Sequence, residues 1–314
     1  MPDRPTSSAG QTPTVPPRWF TEAIAKAAEV CSIEVDGVPI NYRAWGRPAA
    51  EGVLLIHGGA AHARWWDHIA PLLTSGRRVL AVDLSGHGDS GRRDSYSLPA
   101  WADEAMAVAR AGGISAAPVI VGHSMGGFVA LTAARLYGSA IEGVMTIDSP
   151  VRELTPEEQA ARRGVFRRLK VHPSKAEVIA RWRPVPEQDV VLPYIAAHIA
   201  EHSVRPLEDG WSWKFDPAIF TRGSGMSPGL LTRLECRVAV FRSEYGLLSS
   251  AMTDVMYDRL GRLAATIEFP AAGHAVMLDQ PLALVTAIRT LLADWEHSVS
   301  LSEAGPAPAD SAGR

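Results

Sequence analysis

Residues 119–131 read VIVGHSMGGFVAL, and the centre of this stretch is Gly122-His123-Ser124-Met125-Gly126. The apolar run at its start predicts a buried strand, and the small and apolar residues that follow predict a helix. The two glycines permit a tight turn between strand and helix, which holds the serine hydroxyl up at the helix N-terminus. A serine needs a base to take its proton, so the stretch predicts a nucleophile whose partners lie elsewhere in the chain.

Around this turn, short apolar runs alternate with stretches of helical periodicity. Such alternation is typical of an α/β protein with a mostly parallel sheet covered by helices on both faces. Near the N-terminus, Asp36-Gly37 separates two strand-like runs and predicts a hairpin, preceded by a helix over Trp19–Val30. The other predicted strands are VLLIH at 53–57, RVLAVD at 78–83, GVMTID at 143–148, RVAVFR at 237–242 and ATIEFP at 265–270, and helices are predicted over 62–74, 99–111, 125–137, 250–262 and 281–297.

The alternation stops after Pro150 and resumes near residue 233. Residues 151–232 are rich in Arg, Glu, Trp and Pro, and they predict several helices and loops without a strand. A stretch of this length is too long for an ordinary loop. The sequence therefore predicts an α/β core made of residues 19–150 and 233–298, with a helical cap at 151–232.

Composition limits the classes of partner. The chain has 314 residues and a formal net charge of −3, which does not favour nucleic acid or an anionic membrane as partner. Its two cysteines lie far apart, which fits a reducing compartment, and we expect a cytoplasmic location. The apolar runs are too short to span a bilayer. The Pro- and Ser-containing ends, 1–18 and 299–314, predict disordered tails.

Several motifs, in the same order along the chain, make this sequence resemble the α/β-hydrolase superfamily over roughly residues 33–297. The resemblance implies the α/β-hydrolase fold, hydrolysis of esters, lactones, amides or related bonds, and no cofactor. The spacing of histidines and carboxylates also predicts no metal. The motifs are LIHGG at 55–59, Trp65-Trp66, VDLSGHGDS at 82–90, VGHSMGG at 121–127 and AAGHAVMLDQP at 271–281.

Three further residues complete the predicted machinery around Ser124. His274 lies between the last strand and the last helix, where the family carries its catalytic base. The backbone N–H of Met125, at the start of the helix, is in place to stabilise an oxyanion. The second oxyanion donor is expected from the loop after VLLI, and we assign it to Gly59 N–H, with Ala60 as the next candidate.

The acid of the triad departs from the usual pattern. The loop after the strand that follows the cap reads VFRSEYGLL, and Gly246 falls where most family members carry Asp. Some members place the acid one strand earlier, and here that strand ends in Asp148. The sequence favours Asp148 as the group that orients the histidine. Glu244, which lies in the usual loop, and the absence of a working acid remain as alternatives.

The predicted insertion contains many aromatic residues, as expected of a cap that shapes an apolar pocket. The sequence thus predicts a serine hydrolase that cleaves an ester or lactone of a small-to-medium apolar molecule. Carbon–carbon bond hydrolysis, cofactor-free perhydrolysis and a non-enzymatic ligand receptor or signalling protein with a vestigial triad remain alternatives, and the oligomeric state is open. The predicted pocket residues are Ala60, Trp66, Trp182, Trp211, Trp213, Met226 and Val276.

Overall fold

The computed structural model describes residues 15–153, 155, 157–158, 169–220 and 228–298. Eight strands form one sheet in the order β1-β2-β4-β3-β5-β6-β9-β10, and two more form a separate hairpin. The strands of the described residues are β1 (Glu29–Val35), β2 (Val38–Trp45), β3 (Gly52–Ile56), β4 (Arg78–Val82), β5 (Val119–His123), β6 (Gly143–Ile147), β7 (Val204–Leu207), β8 (Gly210–Trp213), β9 (Arg237–Tyr245) and β10 (Ala265–Gly273).

The sheet is antiparallel only at its β1-β2-β4 edge, and its other six strands, β4, β3, β5, β6, β9 and β10, run parallel to one another. Every residue of β3, β4, β5 and β6 is buried, as expected for parallel strands covered on both faces. The predicted mostly parallel sheet is confirmed.

Two hydrophobic cores lie on the two faces of the sheet. Leu54 points to the core that includes Trp101 and Phe128, whereas its neighbour Leu55 points to the core that includes Trp66 and Leu292. This alternation follows from the two-residue period of a strand. The α-helices of the described residues are α1 (Arg18–Ala25), α2 (Leu98–Ala111), α3 (Met125–Tyr137), α4 (Lys175–Ile179), α5 (Pro193–His202), α6 (Ser250–Arg259), α7 (Val276–Asp279) and α8 (Pro281–His297).

Three predictions of local structure are wrong. The helix predicted over 62–74 is two short 3-10 turns, Ala63–Trp66 and Ala70–Leu72, and Pro71 deprives the second turn of a backbone donor. The first helix ends at Ala25, because residues 29 and 30 already pair in β1. The stretch 151–232 was expected to contain no strand, yet β7 and β8 form an antiparallel hairpin within it.

The described part of the inserted stretch is hydrogen-bonded to segments that follow strands of the sheet. Leu192 N–H donates to Leu278 O at 2.8 Å, and His62 Nε2 lies 2.8 Å from Ser203 Oγ. The exact division into core and cap stays a prediction. The tails predicted at 1–18 and 299–314 lie outside the described residues, apart from 15–18. Among the described helices, none is long and apolar enough to cross a bilayer.

Candidate active site

Ser124 sits at a sharp turn between β5 and α3. Its backbone has φ 53° and ψ −116°, a strained conformation for a residue other than glycine. Ser124 N–H donates to Ile147 O at 2.8 Å, which ties the turn to the neighbouring strand β6. A Cβ built on Gly126 would lie 2.5 Å from Ile56 O, so only glycine fits at this position. The turn therefore holds the serine in one fixed orientation.

The hydroxyl of Ser124 is available to a ligand. The residue is partly exposed, and among the described residues its Oγ has no hydrogen-bond partner. Met125 is the first residue of α3, so its N–H has no carbonyl to bond within the helix. A nucleophile and a free backbone donor thus stand side by side.

The loop after β3 passes beside this turn. A Cβ built on Gly58 would lie 3.3 Å from Ser124 Cβ, and one built on Gly59 would lie 3.8 Å from Met125 Sδ. The structure thus brings Gly59, Met125 and Ser124 together. Ala60 follows with φ 59°, which continues the tight path of the loop.

His57 holds this loop through both of its ring nitrogens. Leu84 N–H donates to Nε2 at 3.2 Å, so the ring proton is on Nδ1, which donates to Gly58 O at 2.7 Å. Burial lowers the pKa of His57 to about 4, so the ring is neutral near pH 7. In a trans peptide the carbonyl and the following N–H point in opposite directions. Gly58 O also accepts from Ala61 N–H at 3.2 Å, so the two bonds together fix the direction of Gly59 N–H.

His274 meets Asp148 directly. His274 Nδ1 lies 2.6 Å from Asp148 Oδ2, and both side chains are buried. Leu247 N–H and Leu248 N–H also donate to the carboxylate, at 2.7 and 3.1 Å. Burial by itself would raise the pKa of Asp148, but the hydrogen bond and charge of His274 and these N–H groups outweigh it and lower the pKa. The carboxylate is therefore ionised and fully bonded.

Glu244, the alternative acid, is bonded to the backbone of β10. It is exposed, and its Oε2 accepts from Ala271 N–H at 2.7 Å. A Cβ built on Gly246 would fall against the carboxylate of Asp148, 2.5 Å from its Cγ. The space that a side chain in the usual acid position would enter is thus already taken by Asp148.

His123 contacts the same histidine from the other side. Its Nε2 lies 3.0 Å from His274 O, and the two rings are 4.7 Å apart. Burial and the nearby His274 lower the pKa of His123 to about 3, so His123 is neutral and its Nε2–H is the donor. The indole of Trp65 stacks on His123 with centroids 6.5 Å apart. The sequence suggested no role for either residue beyond their place in the motifs.

The predicted pocket residues are only partly near the site. Trp66 and Val276 expose no surface and belong to the second core, which corrects their prediction as pocket residues. Adjacent residues of a turn point in different directions, and it is Trp65 that faces the site. The ring of Trp182 lies 6.0 Å from that of Trp65, so this tryptophan of the insertion does approach the site.

The remaining aromatic residues of the insertion have other neighbours. The ring of Trp211 lies 5.9 Å from Lys175 Nζ, which places it against α4 of the insertion itself. Trp213 packs against the first core. Phe220, which was not predicted, lies 3.2 Å from a Cβ built on Gly59. Met226 lies outside the described residues. Within the part of the chain that the structure describes, no group of three or more His, Cys, Asp or Glu could hold a metal ion.

A strained serine between strand and helix, a glycine loop beside it and a histidine bonded to a carboxylate define a hydrolase of the α/β class. Residues 53–288 match the alpha/beta hydrolase family, and the chain belongs to this family. It is 28% identical to the esterase Rv0045c of Mycobacterium tuberculosis over 260 residues, 79% of this chain and 84% of that protein. It is 24% identical to a serine hydrolase-like protein of Danio rerio, over 91% of this chain and 95% of the relative.

Solved structures show the same fold. The thioesterase domain from the curacin biosynthetic pathway superposes with a TM-score of 0.71 at 24% identity, covering 84% of this chain and 99% of that domain. E-2-(acetamidomethylene)succinate hydrolase superposes with a TM-score of 0.74 at 20% identity, covering 85% of this chain and 99% of that one.

Proposed function

We propose that this protein is a serine hydrolase that cleaves carboxylic esters through an acyl-enzyme on Ser124. The observation that carries the proposal is the 2.6 Å hydrogen bond between His274 and the buried Asp148, in a chain whose serine stands in a strained strand-to-helix turn. The names of similar proteins support it, because one is an esterase of Mycobacterium tuberculosis and others are pimeloyl-[acyl-carrier protein] methyl ester esterases.

The protonation states fit a general base. Asp148 is ionised and accepts from His274 Nδ1–H, so in the neutral imidazole the proton is on Nδ1 and Nε2 carries the lone pair. In the proposed reaction Nε2 takes the proton of Ser124 as Oγ attacks the carbonyl carbon. It then gives that proton to the leaving alcohol, and water resolves the acyl-enzyme by the reverse path. Asp148 orients the ring and stabilises the imidazolium.

The oxyanion formed in each step needs two donors in place beforehand. We assign these donors to Gly59 N–H and Met125 N–H, whose loops lie against each other. The bonds from His57 and from Ala61 N–H to Gly58 O direct the first donor, and the start of α3 presents the second.

We propose that the substrate is an ester or lactone of a small-to-medium apolar molecule. Phe220 lies near Gly59, and Trp65, which contacts Trp182, stacks on His123, so apolar side chains lie beside the oxyanion loop and beside the histidine that contacts His274. A small-molecule substrate, a cytoplasmic location, and neither nucleic acid nor a membrane as partner belong to the same proposal.

A fluorophosphonate probe tests the proposal directly. We expect stoichiometric labelling of the native protein, no labelling after denaturation, and none in Ser124→Ala, which keeps the fold because the turn tolerates a smaller side chain. A panel of p-nitrophenyl esters of increasing acyl length, run beside simple lactones, then identifies the bond type and the acyl size. A native protein that binds such molecules without labelling or turnover is a receptor, and the proposal is then wrong.

A further inference from the structure

The peptide bond between His274 and Ala275 is held from both sides. His123 Nε2–H donates to its carbonyl oxygen at 3.0 Å, and its N–H donates to Gln188 Oε1 at 2.9 Å. The first partner comes from the end of β5, next to Ser124, and the second comes from the inserted stretch. The backbone on which the histidine side chain is mounted is thus clamped between the core and the insertion.

Gln188 uses both ends of its amide. Its Oε1 accepts from Ala275 N–H, while its Nε2 reaches Ala275 O at 3.4 Å, Asp279 Oδ2 at 3.2 Å and Val190 O at 3.0 Å. The side chain is only partly exposed. An amide that joins two segments of chain through donor and acceptor together fixes their distance and their relative orientation.

Asp279 extends the clamp to the other side of the histidine. Its Oδ2 accepts from Gly273 N–H at 2.6 Å as well as from Gln188 Nε2. A Cβ built on Gly273 would lie 2.8 Å from Gln188 Cβ, so the glycine lets the insertion approach this closely. The backbone N–H groups before and after His274 are therefore bonded to two side chains that are bonded to each other.

From these contacts we propose that Gln188 is a positioning residue for His274, through which the seating of the inserted stretch on the core sets the position of the catalytic base. The inference rests on the proposed function for its effect on rate. Nothing in the local sequence marks Gln188, because its partners lie 87 and 91 positions away.

A second contact between the insertion and the core also leads to His274. Trp182 packs on Trp65, Trp65 stacks on His123, and His123 donates to His274 O. Displacing the insertion therefore removes the bond from Gln188 and the packing of Trp182 behind Trp65 and His123. The base is in place when the insertion is seated, and it loses its support when the insertion moves away.

Gln188→Met tests the inference, since it keeps the length of the side chain and removes its hydrogen bonds. We expect kcat on a p-nitrophenyl ester to fall about 10- to 100-fold with KM changed less than about threefold, because a displacement of about 1 Å at the reacting groups costs rate rather than binding. Gln188→Ala, compared at a temperature at which circular dichroism shows each variant folded, should fall at least as far. Glu187→Ala, an exposed neighbour paired with Arg183, is the matched control and should stay within twofold of wild type.

A second readout does not depend on turnover. The short bond between His274 Nδ1 and Asp148 should give a downfield proton resonance in the NMR spectrum, and Gln188→Met should shift or broaden it while Glu187→Ala leaves it unchanged. An unchanged resonance, an unchanged kcat, or a rise in KM alone would overturn the positioning role. If the wild type is not labelled at Ser124, the proposed function fails by itself, and the resonance still decides whether Gln188 positions His274.

Discussion

The carboxylate of Asp148 occupies the space into which a side chain at Gly246 would project. A Cβ on Gly246 would lie 2.5 Å from Asp148 Cγ, and the next residue, Leu247, donates its N–H to Asp148 Oδ2 at 2.7 Å. The loop after β9 therefore serves as the cradle for an acid that comes from the end of β6. Only one of the two positions can hold a carboxylate.

Replacing Asp148 by Asn tests the acid. We expect Asp148→Asn to keep the fold, because the amide is nearly isosteric, and to reduce the rate of acylation by several powers of ten, since the amide cannot stabilise the imidazolium and favours the wrong tautomer. The measurement is the rate of p-nitrophenol release in the first turnover, with folding checked by circular dichroism.

Glu244→Gln is the control for that variant. Its carboxylate bonds to Ala271 N–H and is exposed, so the rate should change by less than about tenfold, or about 1.4 kcal/mol of activation free energy. If Glu244→Gln lost most of its acylation rate and Asp148→Asn kept a nearly normal rate, the assignment of Asp148 as the acid would be wrong.

Because Asp148 and a side chain at position 246 would share one space, the cost of a substitution at 246 should depend on the residue at 148. Gly246→Ala alone should destabilise the protein by about 1–3 kcal/mol, because its methyl group meets the carboxylate. In an Asp148→Gly background the same change should cost far less, since the carboxylate is gone and glycine suits the φ of 44° at position 148. Urea unfolding of the four proteins measures the coupling, and equal costs in both backgrounds would contradict it.

A carboxylate at position 246, in the loop after β9, should also be able to take the place of Asp148. In Asp148→Gly, the further change Gly246→Asp places a carboxylate in the vacated space beside His274. We expect the double variant to be at least about tenfold faster than Asp148→Gly, measured by fluorophosphonate labelling, because restoring the carboxylate recovers part of the stabilisation of the imidazolium. Asp148→Gly with Gly246→Asn is the matched control and should recover nothing.

Much of the fold could be predicted because its signals are local. The buried strands are short apolar runs, and the turn at Ser124 needs glycine at positions that the sequence displays. The same reasoning brought Asp148 and His274 to one edge of the sheet, since the carboxyl ends of parallel strands share that edge. Both residues follow directly from the strands that precede them.

What could not be predicted depends on contacts between distant segments. Trp65 and Trp66 are adjacent and chemically alike, and only packing decides that the first faces the site while the second is buried. Gln188 has no motif of its own. The hairpin of β7 and β8 was missed because strands of four residues carry too short an alternation to distinguish them from loops.

The stability of the protein should depend on pH through buried histidines, and His68 gives a clean test. Its Nε2 lies 2.8 Å from Met277 O, and burial lowers its pKa to about 4. Between about pH 4 and 6.5 the unfolded chain binds a proton at this residue and the folded protein does not. The free energy of unfolding therefore rises with pH in this range, and this contribution to stability is lost as the pH falls.

The variant His68→Gln keeps a donor for Met277 O and cannot titrate. Its free energy of unfolding should therefore depend less steeply on pH between about 4 and 6.5, by about 1 kcal/mol per pH unit. The other buried ionisable groups, including Asp83 with its pKa raised to about 6, are common to both proteins and cancel in the difference. Urea unfolding at pH 5 and pH 7 measures it, and parallel profiles would contradict the assignment.

The two ring nitrogens of His57 should contribute differently to catalysis. The side-chain amide of Asn can reach the place of Nδ1, and that of Gln can reach the place of Nε2. His57→Asn thus keeps a donor for Gly58 O and loses the acceptor for Leu84 N–H, whereas His57→Gln does the reverse. The bond from His57 Nδ1 is the shorter of the two that hold Gly58 O, 2.7 Å against 3.2 Å from Ala61 N–H. Because it helps to direct Gly59 N–H at the oxyanion, we expect His57→Gln to lose about 10- to 100-fold in kcat, somewhat less than the removal of a whole oxyanion donor.

His57→Asn should lose less activity and more stability, since it leaves the buried Leu84 N–H unpaired at a cost of about 1–3 kcal/mol. The measurements are kcat, KM and the inhibition constant of a trifluoromethyl ketone. Ser124 Oγ adds to its carbonyl carbon, and the carbonyl oxygen of the resulting hemiketal mimics the oxyanion. His57→Gln should weaken this inhibitor in proportion to its loss of kcat while KM stays near that of the wild type. If His57→Asn is the slower enzyme, or if the inhibitor binds both variants equally, His57 does not direct the oxyanion donor.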